Sequence, residues 1–132
     1  MIKVYTIQVS PIAWQRAGVN TKYSEPKFYD KQTHDKIAYG LYLQQQHGTT
    51  PPFKGPLQVD IEFYLPIPKI KARRGSHIIF HDKKPDIDNL LKFLFDSCNK
   101  IIFTDDALIS KLSVVKLYDK NPRTQLTIKD LE

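Results

Sequence analysis

The sequence predicts an α+β fold: a small, mostly antiparallel (mixed) sheet with two main helices packed on it. Three observations predict it. Residues 57–65 alternate apolar and polar side chains with period two almost without a break. Residues 88–100 instead carry Leu91, Leu94, Phe95 and Cys98 on one helical face. The remaining segments lack the βαβ rhythm that a doubly wound parallel sheet requires. A length of 132 residues fits one domain, spanning 1–132, that buries a core without covalent staples.

Taken in order, residues 2–9 alternate and are rich in β-branched and aromatic types, which predicts a strand ended by Ser10-Pro11. Residues 11–29 are irregular, and a loop of that length is functional or mobile. Residues 30–47 predict a helix with Asp30 as N-cap, an apolar stripe of Ile37, Leu41 and Tyr42, and a stop at His47-Gly48. In the 57–65 strand, Leu57, Val59, Ile61, Phe63 and Leu65 face the core, and Gln58, Asp60 and Glu62 face water. Residues 66–84 break all pattern. Residues 111–118 and 123–129 alternate again, and the turn chemistry of Asp119-Lys120-Asn121-Pro122 between them predicts a hairpin.

Charge speaks to partners. A formal net charge of +6 favours a polyanion. Cys98 is the single cysteine and is expected to be buried, so no disulfide forms within the chain, as suits a reducing, cytoplasmic setting. No apolar run approaches the roughly 18 residues of a membrane span, and no signal peptide is apparent, so no membrane partner is expected. No glycine-rich phosphate loop is present, which argues against a nucleotide cofactor. The four histidines lack zinc-like spacing with cysteine. Trp14, Tyr23 and Tyr29 are open to base stacking, interface packing or core packing, and Phe80 to wedging into a nucleic acid or, the commoner fate, to packing in the core.

Against this basic background the acids bunch. Lys83-Lys84-Pro85-Asp86-Ile87-Asp88-Asn89-Leu90-Leu91-Lys92 is followed by Asp105-Asp106. Grouped carboxylates repel one another unless a cation neutralises them. Pro85 favours extended backbone before it, and an extended Asp86-Ile87-Asp88 points both carboxylates to one face. Asp88 also suits a helix N-cap, and Lys92, four residues on, rises on the same side. Asp88, Lys92, Asp96 and Asn99 then form a polar stripe opposite the apolar one. If the chain turns back after the helix, Asp105 or Asp106 joins Asp86 and Asp88, and three carboxylates with waters suit Mg²⁺ or Mn²⁺. Lys92 would meet the phosphate as a point charge. The same residues also admit a plainer account, with Asp88 a cap, Asp105-Asp106 a turn or the cap of a short helix from Ala107, and Lys92 a solvated partner of Asp88.

Asp86-Ile87-Asp88-Asn89-Leu90-Leu91-Lys92, then Phe95-Asp96, then Phe103-Thr104-Asp105-Asp106, resembles the RusA family of Holliday-junction resolvases. The likeness is close over residues 83–110 and loose at the start, where a first strand, a proline and Gln15-Arg16 agree. It implies a RusA-like homodimeric endonuclease of bacterial or phage origin, acting in DNA recombination and repair. Such an enzyme needs Mg²⁺, with Mn²⁺ as substitute, and cuts opposed strands of a four-way DNA junction. By position it implies Asp86, Asp88 and Asp106 as metal-binding acids, with Asp105 the runner-up, and Lys92 as the catalytic lysine. One departure is visible: the linker Ser97-Cys98-Asn99-Lys100-Ile101-Ile102 lacks the glycine often found before the Asp-Asp pair.

Lys69, Lys71, Arg73, Arg74, Lys83 and Lys84 lie just ahead of the acids, and Arg16, with Lys22 and Lys27, extends the set, as candidates for holding DNA phosphates. Two other functions compete. A non-enzymatic basic DNA-binding module leaves the spacing of the acids around Lys92 unexplained. A sugar transferase using Asp-x-Asp lacks the length for a nucleotide-sugar domain.

Overall fold

The computed structural model describes residues 1–22, 25–69 and 78–132. Among them the strands are β1 (Ile2–Ile7), β2 (Gly18–Asn20), β3 (Lys27–Tyr29), β4 (Leu57–Pro66), β5 (Ile109–Asp119) and β6 (Arg123–Asp130). The helices are α1 (Thr33–His47) and α2 (Ile87–Cys98), with a 3₁₀ turn at Asp106–Leu108. The fold is α+β, as expected. The main sheet runs β1-β6-β4-β5, and β2 and β3 form a small ribbon of their own.

β4 lies between β5, its parallel partner, and β6, its antiparallel partner. The expected hairpin of β5 with β6 is therefore absent: β4 stands between them. Turn chemistry fixes a reversal of direction but not how many strands the reversal straddles. Two ladder spacings are about 10 Å, within the roughly 13 Å that four extended residues reach. A clamp closes this crossing. Arg123 Nη1 pairs with Asp119 Oδ2 at 2.6 Å, and its guanidinium lies 3.7 Å from the centre of the Tyr64 ring on β4.

The inner side of β4 reads as expected, with Leu57, Val59, Ile61, Phe63 and Leu65 all buried. They meet Tyr5 and Ile7 of β1, Leu126 and Ile128 of β6, and both helices. α2 contributes Leu90, Phe93, Leu94 and Cys98, and Phe93 meets Tyr39 of α1 edge-on with ring centres 5.0 Å apart. Burial pushes the Cys98 thiol well above its ordinary range, which fits packing and not nucleophilic use.

α1 corrects two expectations. Its N-cap is Gln32, while Asp30 accepts from the Gln32 amide and from Lys36 Nζ, each at 2.8 Å. Its buried face is Tyr39, Gly40, Leu43 and His47, and the anticipated stripe of Ile37, Leu41 and Tyr42 is exposed. Gly40 is the reason. A Cβ there would sit 3.2 Å from Ile101 Cδ1, so the helix approaches its neighbour on the side where it has least to show. His47 is tolerated inside because its ring nitrogens meet Tyr5 Oη at 2.7 Å and the Pro51 carbonyl at 3.2 Å. No helix among the described residues is long and apolar enough to cross a membrane.

Candidate active site

α2 presents the acidic motif at its N-terminal end. Asp86 is the N-cap, with extended backbone (φ −73°, ψ 148°), and the helix begins at Ile87. The expected extended run through Asp88 thus ends one residue in. Positions two apart on a helix do not share a face as they do on a strand. Asp86 stands instead at the cap position and Asp88 in the first turn, where the unpaired amides of the helix end favour negative charge. Asp86 makes no side-chain cap bond. Both side chains are exposed, and neither has a hydrogen-bond or ion-pair partner among the described residues.

The approach to this end is held by β5. The Tyr118 amide donates to the Ile79 carbonyl at 2.9 Å and the His81 amide to the Lys116 carbonyl at 3.0 Å, so residues 79–81 lie along the edge of the sheet. Lys116 Nζ then donates to the carbonyls of Lys83 and Pro85 at 2.7 and 2.8 Å, just before Asp86. This alignment turns Phe80 outward. It is 68% exposed, contrary to the core role expected of it.

Beyond α2 the chain does turn back. Lys100 takes a φ of +69°, the left-handed conformation that a glycine would adopt without strain, so the missing glycine has not removed the turn. Phe53 fixes the return: its amide donates to Ile102 and its carbonyl accepts from Thr104. Asp105 caps the 3₁₀ turn, its Oδ2 accepting from the Ala107 amide at 3.0 Å. Asp106, half-buried, has no such duty. Burial first, then the charges of Asp105 and Asp96, raises its carboxyl above the ordinary range.

The acid the structure brings towards Asp106 is thus Asp96, which the resemblance includes but the expected ligand set does not. Lys36 of α1 lies 3.9 Å from Asp96 and pairs with Asp30 at 2.8 Å, linking the helices across a groove of about 460 Å³. Among the described residues, no three His, Cys, Asp or Glu side chains are gathered closely enough to hold a metal ion. The expected gathering of Asp86, Asp88 and Asp106 is thus not seen; they are separate carboxylates, hard oxygen donors of the type that Mg²⁺ and Mn²⁺ take.

Lys92 is exposed on α2, with its ammonium 3.8 Å from the centre of the Trp14 ring. Arg16, Lys69, Lys83 and Lys84 are exposed. Lys71, Arg73 and Arg74, like Tyr23, lie outside the described residues. Trp14 and Gln32 are the contributors that sequence patterns did not assign to the site. A lone tryptophan in an irregular segment carries no periodic signal.

Residues 8–129 match the family model described as endodeoxyribonuclease RusA. The chain is also similar to the uncharacterized protein YqaN of Bacillus subtilis (strain 168), with 30% identity over 102 residues, 70% of each chain.

Proposed function

The chain belongs to the RusA endodeoxyribonuclease family, and from that premise we propose that it is a metal-dependent, structure-selective endonuclease that resolves four-way DNA junctions by paired symmetric incision. The observation that carries this is the state of Asp86 and Asp88: two exposed acids at a helix N-terminus, with no partner among the described residues. The helix end favours their charge, and the lack of partners leaves their oxygens open to a cation.

Asp86, Asp88 and Asp106 would hold Mg²⁺, or Mn²⁺ in its place. When bound, the ion supplies an acidified water and neutralises charge on the scissile phosphate. Lys92 offers its ammonium to that phosphate or to the leaving oxygen. Arg16, Lys69, Lys83 and Lys84, with Lys71, Arg73 and Arg74, hold the flanking backbone. Such contacts position DNA without reading its sequence, so junction shape governs selection.

A junction has approximate two-fold symmetry, and paired incision requires two copies of one site, so the active species is a homodimer. The domain is the whole of 1–132 and acts in the cytoplasm of a bacterium, on host or phage DNA.

The test is incubation of the protein with an end-labelled four-way junction, a linear duplex and Mg²⁺, with and without chelator, read on denaturing gels. Symmetric nicks in the junction that vanish with chelator are expected. Tight junction binding without cleavage by fresh protein would favour the non-enzymatic DNA-binding module instead.

A further inference from the structure

Lys92 has a carboxylate four residues before it, Asp88, and another four residues after it, Asp96. Both spacings place opposite charges within reach on a helix surface. Among the described residues Lys92 nevertheless pairs with neither, and its ammonium sits over the Trp14 indole.

That indole is built into place. The Trp14 amide donates to the Asn89 carbonyl of α2 at 2.9 Å. Gln32, buried ahead of α1, brackets the residue on both sides: its Nε2 donates to the Ala13 carbonyl at 2.7 Å and its Oε1 accepts from the Gln15 amide at 2.9 Å. Tyr39 Oη donates to the Ser10 carbonyl at 2.8 Å, fixing the same segment further back. Residues 10–15 are thus strapped between the two helices, with the tryptophan beside the lysine.

We infer that Trp14 is a positioning residue that draws Lys92 off the acids of its own helix and holds its ammonium ready for a phosphate. The inference rests on the proposed role of Lys92. An ion pair with Asp88 would occupy both a proposed metal ligand and the phosphate-binding cation at once. A π face attracts the ammonium without neutralising it, so the carboxylate and the lysine stay available separately.

Placement and role are tested apart. Side-chain NMR of the metal-free, DNA-free protein, assigned with Lys92→Met, reads the Lys92 ε-methylene protons. A marked upfield ring-current shift is expected, retained in part in Trp14→Phe and lost in Trp14→Leu. Ordinary lysine shifts in the folded wild type overturn the placement, whether or not the protein cuts DNA.

Under saturating junction and Mg²⁺, Trp14→Leu should cut about three- to thirtyfold more slowly with unchanged junction affinity, and Trp14→Phe should recover most of the rate. A wild-type rate in a Trp14→Leu protein that has lost the ring-current shift overturns the inference. So does a Trp14→Phe protein that keeps the shift yet is as slow as Trp14→Leu. If Trp14→Leu does not fold, Trp14→Phe and Gln32→Leu carry the comparison, the latter expected to lose shift and rate together. Failure of the wild type to cut any junction defeats the proposed function and leaves placement to the NMR result.

Discussion

The two helices sort their residues differently. α2 buries Leu90, Phe93, Leu94, Ser97 and Cys98 and turns Asp88, Lys92 and Asp96 to solvent. α1 buries Gly40 and His47 beside Tyr39 and Leu43, yet leaves Ile37 56% and Leu41 67% exposed. On α2 one side serves the core, so everything left outside is free to be chosen for chemistry. On α1 apolar side chains occur on both sides, and periodicity does not say which goes inward. The exposed sides thus differ, charged on α2 and apolar on α1, and they meet at the groove that Ile37, Leu41 and Asp96 line. Under the proposed dimer, Ile37 and Leu41 are the α1 residues to test for contact with a second copy.

The sharpest way to break this division is at the acids of α2. Asp86→Asn and Asp88→Asn should each lower junction cutting about a thousandfold or more, because a lost ligand forfeits several kcal/mol of charge stabilisation. Junction affinity should hold or rise, since a repulsive charge has gone. Single-turnover gels and fluorescence anisotropy read the two effects. A variant that cuts at the normal rate removes that aspartate from the ligand set.

Next in size is the contrast in stability. Phe93→Ala empties the contact with Tyr39 and should cost about 3–5 kcal/mol in denaturant unfolding. Leu41→Ala, in the protein at concentrations where it is a monomer, should stay within about 0.5 kcal/mol of wild type. Leu41→Lys should instead shift sedimentation towards the monomer if a second copy covers this face. Equal losses for Phe93→Ala and Leu41→Ala would mean that α1 is buried on the side assigned to solvent.

How much was legible follows from what each pattern measures. The strand around Val59 and Ile61 was readable because its alternation is unmixed. The face of α2 was read one step round the helix. Leu94 and Cys98 are buried as expected, but Leu90 and Phe93 fill the core where Leu91 and Phe95, only partly buried, were expected. The acidic motif was readable as a set of residue types, but its shape was not: the helix starts at Ile87, and spacing alone cannot tell a cap from a strand end. The ribbon of β2 and β3 passed unseen because three-residue strands leave too few positions to show a period. Trp14 was hidden for a related reason. Its placement depends on Gln32, a polar residue buried by hydrogen bonds to backbone, and no pattern of hydrophobicity predicts such a bracket.

A smaller effect sharpens the boundary between α2 and the returning acids. Lys100 occupies left-handed backbone, at φ +69°. A β-carbon there costs roughly 1–2 kcal/mol, offset in part by the extra freedom that glycine gives the unfolded chain. Lys100→Gly should therefore stabilise the protein by about 0.5–1 kcal/mol while leaving Phe53 to fix Ile102 and Thr104 as before. Destabilisation in equilibrium unfolding would show that the lysine side chain contributes more there than its backbone strain costs.

The smallest effect concerns Asp106. Its carboxyl is raised by burial, then by Asp105 and Asp96, so the fold favours the protonated form. Without divalent ions, stability from this group should fall as pH climbs from the ordinary carboxylate value of 3.8 through the raised folded value. The penalty then persists to neutral pH and is absent below 3.8, where both states are protonated. Asp106→Asn should accordingly melt slightly above wild type at pH 7 and level with it in acid, a small difference because water still reaches and screens a half-buried group. Millimolar Mg²⁺ should reverse the order at neutral pH. Wild type gains by mass action from an ion that binds only the folded chain, and the asparagine variant, lacking a charged oxygen, gains less. An equal gain in both proteins, with the metal-free difference intact, would leave Asp106 as a half-buried acid without a cation to hold, and Asp105 or Asp96 as the carboxylate to examine in its place.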